Sequence, residues 1–189
     1  MEYLDKIYEH LLEWDLRSLH HEHPKTASAV KCLDQYSSEE EYLRVMEPLN
    51  LLEMYASVRR EFEDFQEQKK SKQLPGLRFT VLDVSNGDGG FTELTLAAPR
   101  TKLDELEIFA SSLVVISVPE SGVPRCLGKI DEIEWNVKTR RTEVTIRTRR
   151  DCFWKDTEWT CHALSNMSNC ESSCIAVDRL AIFERTSRK

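Results

Sequence analysis

The stretch Leu77–Ala98, LRFTVLDVSNGDGGFTELTLAA, decides the fold. On its N-terminal side apolar residues recur every three or four positions, whereas within it they alternate with polar residues. Its two alternating halves, Leu77–Val84 and Phe91–Ala98, flank the glycine-rich segment Asn86–Gly90, which is typical of a β-hairpin turn. The stretch therefore predicts a change from helix to antiparallel sheet near residue 76.

Further strands are predicted downstream of this hairpin. Leu106–Val118 and Val123–Trp135 have the composition of strands and are separated by a Ser-Gly turn. Thr142–Thr148 alternates cleanly, with its two aliphatic residues on one face. Five or so short antiparallel strands within about 80 residues are typical of a small closed barrel, which we expect to occupy residues 76–160.

Amphipathic helices are predicted on both sides of the barrel. Residues 2–15 and Glu39–Lys72 place apolar side chains at helical spacing, and a Ser-x-x-Glu capping box opens the second helix. Pro48 lacks an N–H, so we expect it to kink or restart that helix. The tail returns to helix, and Asn169–Arg185 is expected to pack antiparallel against Glu39–Lys72.

The predicted fold class is therefore α+β, in which amphipathic helices form a stalk and a small antiparallel β-barrel is inserted between them. Residues 1–75 are expected to form an N-terminal helical region and the first stalk helix. Residues 76–160 form the barrel, and residues 161–189 form the returning stalk helix.

The composition narrows the class of protein. The 189 residues include 26 Lys and Arg against 33 Asp and Glu, a formal net charge of −7, and 40% of them are hydrophobic. These values suit a globular protein that folds without disulfide staples. No apolar run reaches the length of a membrane span, and the first residues do not resemble a signal peptide. The six cysteines are therefore expected to be reduced thiols in the nucleus or cytoplasm.

Two groups of side chains carry metal-binding chemistry. The loop 20–23 contains three histidines, but neighbouring loop histidines rarely converge on a metal, so a solvated loop is favoured. Cys170 and Cys174 lie four residues apart on a predicted helix and would need Cys152 and Cys161 to complete a zinc site. Because no CxxC pair is present, buried structural thiols are favoured. We predict no metal site and no cofactor.

Catalytic chemistry is not predicted either. Asn86–Gly90 is glycine-rich, but neither Lys-Ser nor Lys-Thr follows it and no helix opens there, which excludes the phosphate-binding loop of nucleotide hydrolases. The sequence has no Gly-x-Ser-x-Gly motif and no recognisable pairing of Cys with His. We therefore expect no catalytic residue in this chain.

Positive charge is concentrated in Lys138–Arg150, which carries six basic residues against the single acid Glu143. Arg147 and Arg149 should project from the same side of a strand, beside a basic turn. Guanidinium groups at such sites bind phosphate oxygens without reading the sequence of bases. The predicted nucleic-acid-binding residues are Lys138, Arg140, Arg141, Arg147 and Arg149.

Aromatic residues near the basic stretch support two interpretations. Trp135, Phe153 and Trp154 offer stacking surfaces for unpaired bases, which favours contact with single-stranded nucleic acid. The alternative is a barrel edge that is kept soluble by its charge, with the aromatic side chains in the core.

The segment Glu40–Glu53, EEYLRVMEPLNLLE, resembles a pattern of the senataxin-like helicases. These belong to the superfamily I RNA/DNA helicases, which include the nonsense-mediated-decay helicase. In that family an acidic and aromatic start is followed by Pro-Leu, apolar residues and Glu, and then by an amphipathic helix like Met54–Phe65. Other stretches that resemble the family are Leu11–Asp15, Gly128–Ile130 with Thr142–Thr148, and Ser165–Ala176.

The resemblance implies the accessory stalk-and-barrel region of a helicase. In the family such a region precedes the ATPase motor, so we expect it to bind single-stranded RNA or DNA weakly and to pack on or regulate a motor in cis. The sequence has no Gly-x-x-x-x-Gly-Lys-Thr loop and no Asp-Glu pair in the motor arrangement. We therefore expect no ATPase or helicase activity from this chain alone. We also expect the chain to be a fragment or partial product of an ATP-dependent helicase. The alternative is a standalone protein–protein interaction module with no nucleic-acid role.

Overall fold

The computed structural model describes residues 2–14, 16, 35–70, 75–119, 121–149 and 153–165. Within them the chain has an α+β fold, in which helices pack against a closed six-stranded antiparallel β-barrel. The helices are α1 (Glu2–Leu12), α2 (Glu39–Lys70) and α3 (Arg100–Glu105). The strands are β1 (Leu77–Asn86), β2 (Thr92–Ala98), β3 (Leu113–Ser117), β4 (Pro124–Asn136), β5 (Arg141–Thr148) and β6 (Glu158–Ser165). The predicted barrel is confirmed.

The barrel strands follow the order β1-β2-β5-β4-β3-β6, and every neighbouring pair is antiparallel. Strand β6 closes the barrel by pairing with β3 on one side and β1 on the other, where Leu77 lies opposite Cys161. Closure gives each strand a partner on both sides, so the barrel has no unpaired sheet edge.

The glycine-rich turn joins β1 to β2 as predicted. Asn86 pairs with Thr92, and the turn between them contains one short 3-10 segment, Asp88–Gly90. Gly89 and Gly90 have φ angles of 68° and 78°, left-handed values that glycine adopts without a Cβ clash. The glycines that indicate a hairpin in the sequence are therefore the residues that its backbone requires.

Strand β5 confirms the predicted alternation. Val144 and Ile146 are buried inside the barrel. The residues that alternate with them, Glu143, Thr145 and Arg147, lie on the outer face. Ile146 is opposite Leu94 of β2, so the inner side chains of neighbouring strands meet in a single core.

The predicted strand Leu106–Val118 is wrong in its first half. Pro99 precedes the short helix α3. The buried side chains of Leu103, within α3, and Ile108, after it, join the barrel core. The chain then turns at Ser111, where φ is 68°, and only Leu113–Ser117 is extended. Leu106 and Ile108 lie two residues apart, as in a strand, and both pack on the barrel core, which accounts for the error.

Strand β6 was not predicted, and it extends past residue 160, where the barrel was expected to end. Trp159, Thr160 and Cys161 are buried one after another, so polar and apolar residues do not alternate. The reason is that the barrel core lies on one side of β6 and α2 covers the other, where the Phe65 ring packs 5.3 Å from the ring of His162. A strand covered on both faces loses the period of two.

Helices α1 and α2 cover the outside of the barrel, α1 at β4 and α2 at β6. Val58 and Phe62 of α2 form a buried cluster with Leu11 of α1 and with Leu113 and Leu164 of the barrel. The apolar stripe predicted for the second helix is therefore its packing face. The described residues form two apolar cores, one inside the barrel and one between the barrel wall and the helices.

A capping arrangement opens α2. The backbone N–H of Glu41 donates to Oγ of Ser38 at 3.2 Å, and Ser37 donates to the Glu41 carboxylate through its hydroxyl and through its backbone N–H at 2.8 Å. The hydroxyl bond and then the backbone bond lower the pKa of Glu41. The helix does not restart at Pro48 but continues through it to Lys70.

The predicted returning helix Asn169–Arg185 lies outside the described residues, and so does its packing against α2. Of the helices that the structure describes, none combines the length and the apolar character needed to cross a membrane.

Candidate nucleic-acid interface

Strands β4 and β5 are joined by the hairpin tip, residues Asn136–Arg141. Oδ1 of Asn136 accepts hydrogen bonds from the backbone N–H groups of Lys138 at 2.9 Å and Thr139 at 3.2 Å. Nδ2 of Asn136 donates to Oε1 of Glu143 at 2.8 Å, and the Thr139 hydroxyl donates to the same oxygen at 3.1 Å. Side chains on both strands therefore hold the turn in one conformation.

Three of the predicted binding residues lie at the hairpin tip, namely Lys138, Arg140 and Arg141. Their side chains are exposed, and within the described part of the chain none of them forms an ion pair with a carboxylate. Arg140 has a φ of 52°, a left-handed conformation that is uncommon for residues other than glycine. The tip thus presents three cations to solvent.

A cleft opens beside the hairpin tip at one end of the barrel. Strand β2 ends at Ala98, opposite Thr142, whereas β4 and β5 continue beyond this point. Trp135 pairs with Thr142 and its side chain is 62% exposed. The cleft has a volume of about 370 Å³ and is lined by Trp135, Arg140, Arg141 and Thr142 of the hairpin and by residues 97–100. An exposed indole and two unpaired guanidinium groups therefore share one concave surface.

Arg100 also lines the cleft but is not among the binding residues that the sequence predicts. It is the first residue of α3, and its Nε lies 3.2 Å from Oδ1 of Asp104. This carboxylate offsets the charge of Arg100. The position of Arg100 depends on the pairing of Ala98 with Thr142, which brings the end of β2 next to the hairpin.

Arg147 lies on the outer wall, which we define as the outward-facing side chains of β2, β5 and β4. Its Nε is 2.7 Å from Oδ2 of Asp131 on β4, and its Nη2 is 4.0 Å from Oε1 of Glu93 on β2. Nζ of Lys129 lies 3.3 Å from Oδ1 of Asp131 and 4.3 Å from the centre of the Tyr8 ring on α1. Arg147 therefore belongs to a partly buried ion cluster in which opposite charges balance.

Arg149 connects three parts of the molecule. Its Nη1 donates to the carbonyl oxygen of Gly89 at 2.6 Å, and its Nη2 lies 3.4 Å from Oε1 of Glu13, just after α1. Its guanidinium carbon is 4.9 Å from the centre of the Phe91 ring. These contacts hold the turn between β1 and β2 and the end of α1 against β5.

The structure thus divides the five predicted binding residues into two groups. Along β5 the distance from Arg141 to Arg147 is about 20 Å, at roughly 3.3 Å per residue. The cations of the hairpin tip have no carboxylate partner among the described residues, whereas Arg147 and Arg149 have partners within the protein. A single short segment of nucleic acid bound at the cleft would not contact both groups.

The outer wall is acidic around Arg147. Glu93 of β2, Glu143 of β5, and Glu132 and Glu134 of β4 occupy outward positions in the register of the three strands. A hydrogen bond between Glu132 and Glu134 raises the pKa of Glu132, and repulsion between the two carboxylates adds to the effect. This wall disfavours phosphate groups.

Of the aromatic residues near the basic stretch, some are exposed and one is in the barrel core. Phe153 is buried and packs 4.7 Å from Trp159 in the barrel core, so it is not a stacking surface. Trp154 is 65% exposed but does not line the cleft. Trp135 alone of the three combines exposure with a place beside the tip cations.

The cysteines that the structure describes are structural. Cys126 and Cys161 are buried, and no disulfide joins them to each other. Burial raises the pKa of Cys161 to about 12, and the neighbouring Cys126 adds to the effect, so the thiolate does not form near neutral pH. Within the described ranges no group of three or more His, Cys, Asp or Glu side chains is placed to hold a metal ion. The histidine loop 20–23, Cys152, Cys170 and Cys174 lie outside those ranges.

Comparison with known proteins adds little to this geometry. No protein-family model and no curated protein matches the chain. The chain is similar to the siderophore-interacting protein SipS from Aeromonas hydrophila at 11% identity and a TM-score of 0.34, over 49% of this chain and 46% of that one. It is similar to ZneB from Cupriavidus metallidurans at 14% identity and a TM-score of 0.32, over 87% of this chain and 77% of that one. The chain thus spans about half the length of the first protein, and neither similarity identifies a function.

Proposed function

We propose that the chain is the accessory stalk-and-barrel region of an RNA/DNA helicase, and that its barrel binds single-stranded nucleic acid through the hairpin tip. The observation that carries the binding proposal is the cleft in which the exposed Trp135 lies beside Arg140 and Arg141. The helicase part rests on the resemblance of Glu40–Glu53 and on the order of helix and barrel along the chain.

The chemistry of the hairpin tip suits a single strand. Arginine and lysine bind phosphate oxygens whatever the base, and an exposed indole stacks on unpaired bases. The formal net charge of −7 and the acidic outer wall oppose approach from a distance. Binding is therefore weak, with little sequence preference, and tightens when a motor domain supplies further contacts.

Fluorescence anisotropy of a labelled single-stranded oligonucleotide tests the binding proposal. Each phosphate contact contributes about −0.7 to the slope of log affinity against log salt, so three contacts give a slope of about −2. Replacing Lys138, Arg140 and Arg141 together by Gln should remove most of this slope and most of the affinity at low salt.

Three exposed cations elsewhere provide the matched control for that variant. Arg78, Arg125 and Lys155 are exposed and do not line the cleft. Their joint replacement by Gln changes the net charge equally, so any loss that it causes measures the long-range field alone. Equal losses in the two triple variants would show that the hairpin tip is not the binding site.

The helicase part of the proposal has an independent test. We expect no ATP hydrolysis by the purified chain, because its sequence has no phosphate-binding loop. Coding sequence downstream of Lys189 that specifies such a loop would support a helicase parent. Turnover that persists after removal of contaminating ATPases would contradict the assignment.

The competing proposal is a protein-interaction module. The exposed carboxylates of Glu132 and Glu134, together with the acidic balance of the chain, favour a basic protein partner over a nucleic acid. Binding of a labelled lysine-rich peptide to the parent chain, weakened by Glu132→Gln with Glu134→Gln, would support this module if single strands do not bind.

A further inference from the structure

We infer that the cleft beside the hairpin tip takes one unpaired nucleotide, with its base stacked on the indole of Trp135 and its flanking phosphates bound by Arg140 and Arg141. The inference rests on the proposed function and names the ligand of that site more narrowly. It assigns the site to an unpaired base and selects against a duplex.

The indole of Trp135 provides the stacking face. Ala98, Thr142 and Trp135 form one row across β2, β5 and β4, and the first two are buried while Trp135 is 62% exposed. Small side chains and Pro99 line the cleft next to the indole and leave it accessible. Inside a duplex both faces of each base are covered by neighbouring bases, so an unpaired base, unlike an internal base pair, can stack on this side chain.

The size of the cleft fits a ligand of this class. Its volume of about 370 Å³ is at the low end of the range of roughly 300–1,000 Å³ that is typical of small-molecule sites. A cleft of this size has room for a single nucleotide, and the rest of a strand must lie outside it.

The phosphate contacts are assigned to the hairpin and not to α3. Arg140 and Arg141 line the cleft, are exposed, and have no carboxylate partner among the described residues. Arg100 lines the cleft from α3, but Asp104 lies 3.2 Å from it and holds its guanidinium group. A guanidinium group donates two parallel hydrogen bonds to a phosphate only when no other anion occupies it.

The hairpin tip is organised before a ligand binds. Asn136 and Glu143 fix the turn through hydrogen bonds of 2.8 to 3.2 Å, so the backbone that carries the two arginines does not have to be ordered on binding. Preorganisation of this kind reduces the entropic cost of association, which favours a small ligand with few contacts.

The experiment measures the binding of a labelled oligothymidylate strand, and of a duplex that contains it, to the parent chain and to three variants. Trp135→Ala removes the stacking face, Trp135→Phe keeps an aromatic ring, and Trp154→Ala is the matched control because Trp154 is also exposed but does not line the cleft. We expect Trp135→Ala to weaken single-strand binding by about 5- to 150-fold. We expect Trp135→Phe to retain most of the affinity and Trp154→Ala to retain all of it.

The parent chain should bind the duplex more weakly than the single strand, and Trp135→Ala should reduce that difference. A Trp135→Ala variant that binds the strand as tightly as the parent, while Arg140→Gln with Arg141→Gln does not bind, overturns the inference and leaves the proposed function intact. Equal affinity of the parent for strand and duplex also overturns it. If the parent binds neither, the inference and the proposed function both fail. Since Trp135 is exposed, thermal melts should show that each Trp135 variant is folded.

Discussion

Strand β5 has arginines at both of its ends, and the surroundings of the two ends differ. At the hairpin tip Arg140 and Arg141 have no carboxylate partner among the described residues, whereas at the other end Arg147 lies between carboxylates of two neighbouring strands. Arg149 is held by a backbone carbonyl and by Glu13, just after α1. The side chains that lie opposite an arginine on the neighbouring strands therefore decide whether it is free to bind phosphate. The number of basic residues along its own strand does not.

The largest effect on stability is expected from Arg147→Ala. This change leaves Asp131, whose side chain is only 17% exposed, with Lys129 as its cationic partner and removes the partner of Glu93. Breaking a fully buried ion pair costs about 3–5 kcal/mol, and the remaining exposure of Arg147 reduces the expected loss to about 2 kcal/mol. Urea unfolding measures it.

Arg141→Ala is the matched control for this change because it removes the same side chain from the other end of β5. We expect it to change the free energy of unfolding by less than about 0.5 kcal/mol, as is usual for an exposed residue without a partner. If both variants lose the same stability, the distinction between the two ends of the strand is wrong.

A smaller loss is expected from Arg149→Ala, which removes a hydrogen bond to Gly89 and a contact with the Phe91 ring. Together these contribute about 1–2 kcal/mol. Glu13→Gln removes only exposed charge contacts, with Arg149 and with His10, so its expected cost is below about 1 kcal/mol. If Glu13→Gln melts at a lower temperature than Arg149→Ala, the ion pair contributes more than the other contacts of Arg149, which would contradict this account.

Arg140→Gly should separate stability from binding at the hairpin tip. Glycine relieves the left-handed backbone of residue 140 but makes the unfolded chain more flexible, so we expect a net gain of about 0.5 kcal/mol or no change. The same variant loses one phosphate contact, which should reduce the salt slope by about 0.7. A stability loss as large as that of Arg149→Ala would show that the Arg140 side chain has a structural partner.

The smallest effect is a pH dependence at the junction of α2 with β6. Burial lowers the pKa of His162, with Lys69 adding to this effect and the hydrogen bond to the carbonyl of Pro75 opposing it. The unfolded chain therefore binds a proton more readily than the folded one, so stability is lost as pH falls below about 6.5.

His162→Gln should remove this part of the pH dependence, which chemical unfolding at a series of pH values measures. Single-strand binding by the hairpin tip should not change over the same range, because lysine and arginine keep their charge. If stability rises as pH falls in the parent but not in the variant, the pKa of His162 is raised and not lowered in the folded chain.

The parts of the fold that the sequence predicts are those with one covered face. Strand β5 alternates because its inner side is core and its outer side is solvent, and the turn before β2 is marked by its glycines. Strand β6 was not predicted because α2 covers its outer face. The predicted β3 is too long because Leu106 and Ile108 alternate like strand residues but pack on the core from the turn after α3. Burial on both sides removes the pattern on which such predictions depend.

The sequence identifies the basic residues of the candidate site but does not show which of them lie together. Lys138, Arg140 and Arg141 are recognisable as a basic turn, but nothing in the local sequence shows that Arg147 faces Asp131 and Glu93. Those partners lie on other strands, and the register that brings them together is set by the whole barrel. The cleft beside Trp135 likewise depends on where β2 ends relative to β4 and β5.

The indole N–H signals of the four tryptophans, followed by ¹H–¹⁵N NMR during titration with a single strand, report most directly on whether the hairpin tip binds nucleic acid. We expect the signal of Trp135, assigned by its absence from Trp135→Phe, to shift with added strand and to return as salt is raised. The signals of Trp14, Trp154 and Trp159 should stay in place. A Trp135 signal that does not move while the strand binds, together with a shifted side-chain N–H of Arg147, would contradict the assignment of binding to the hairpin tip.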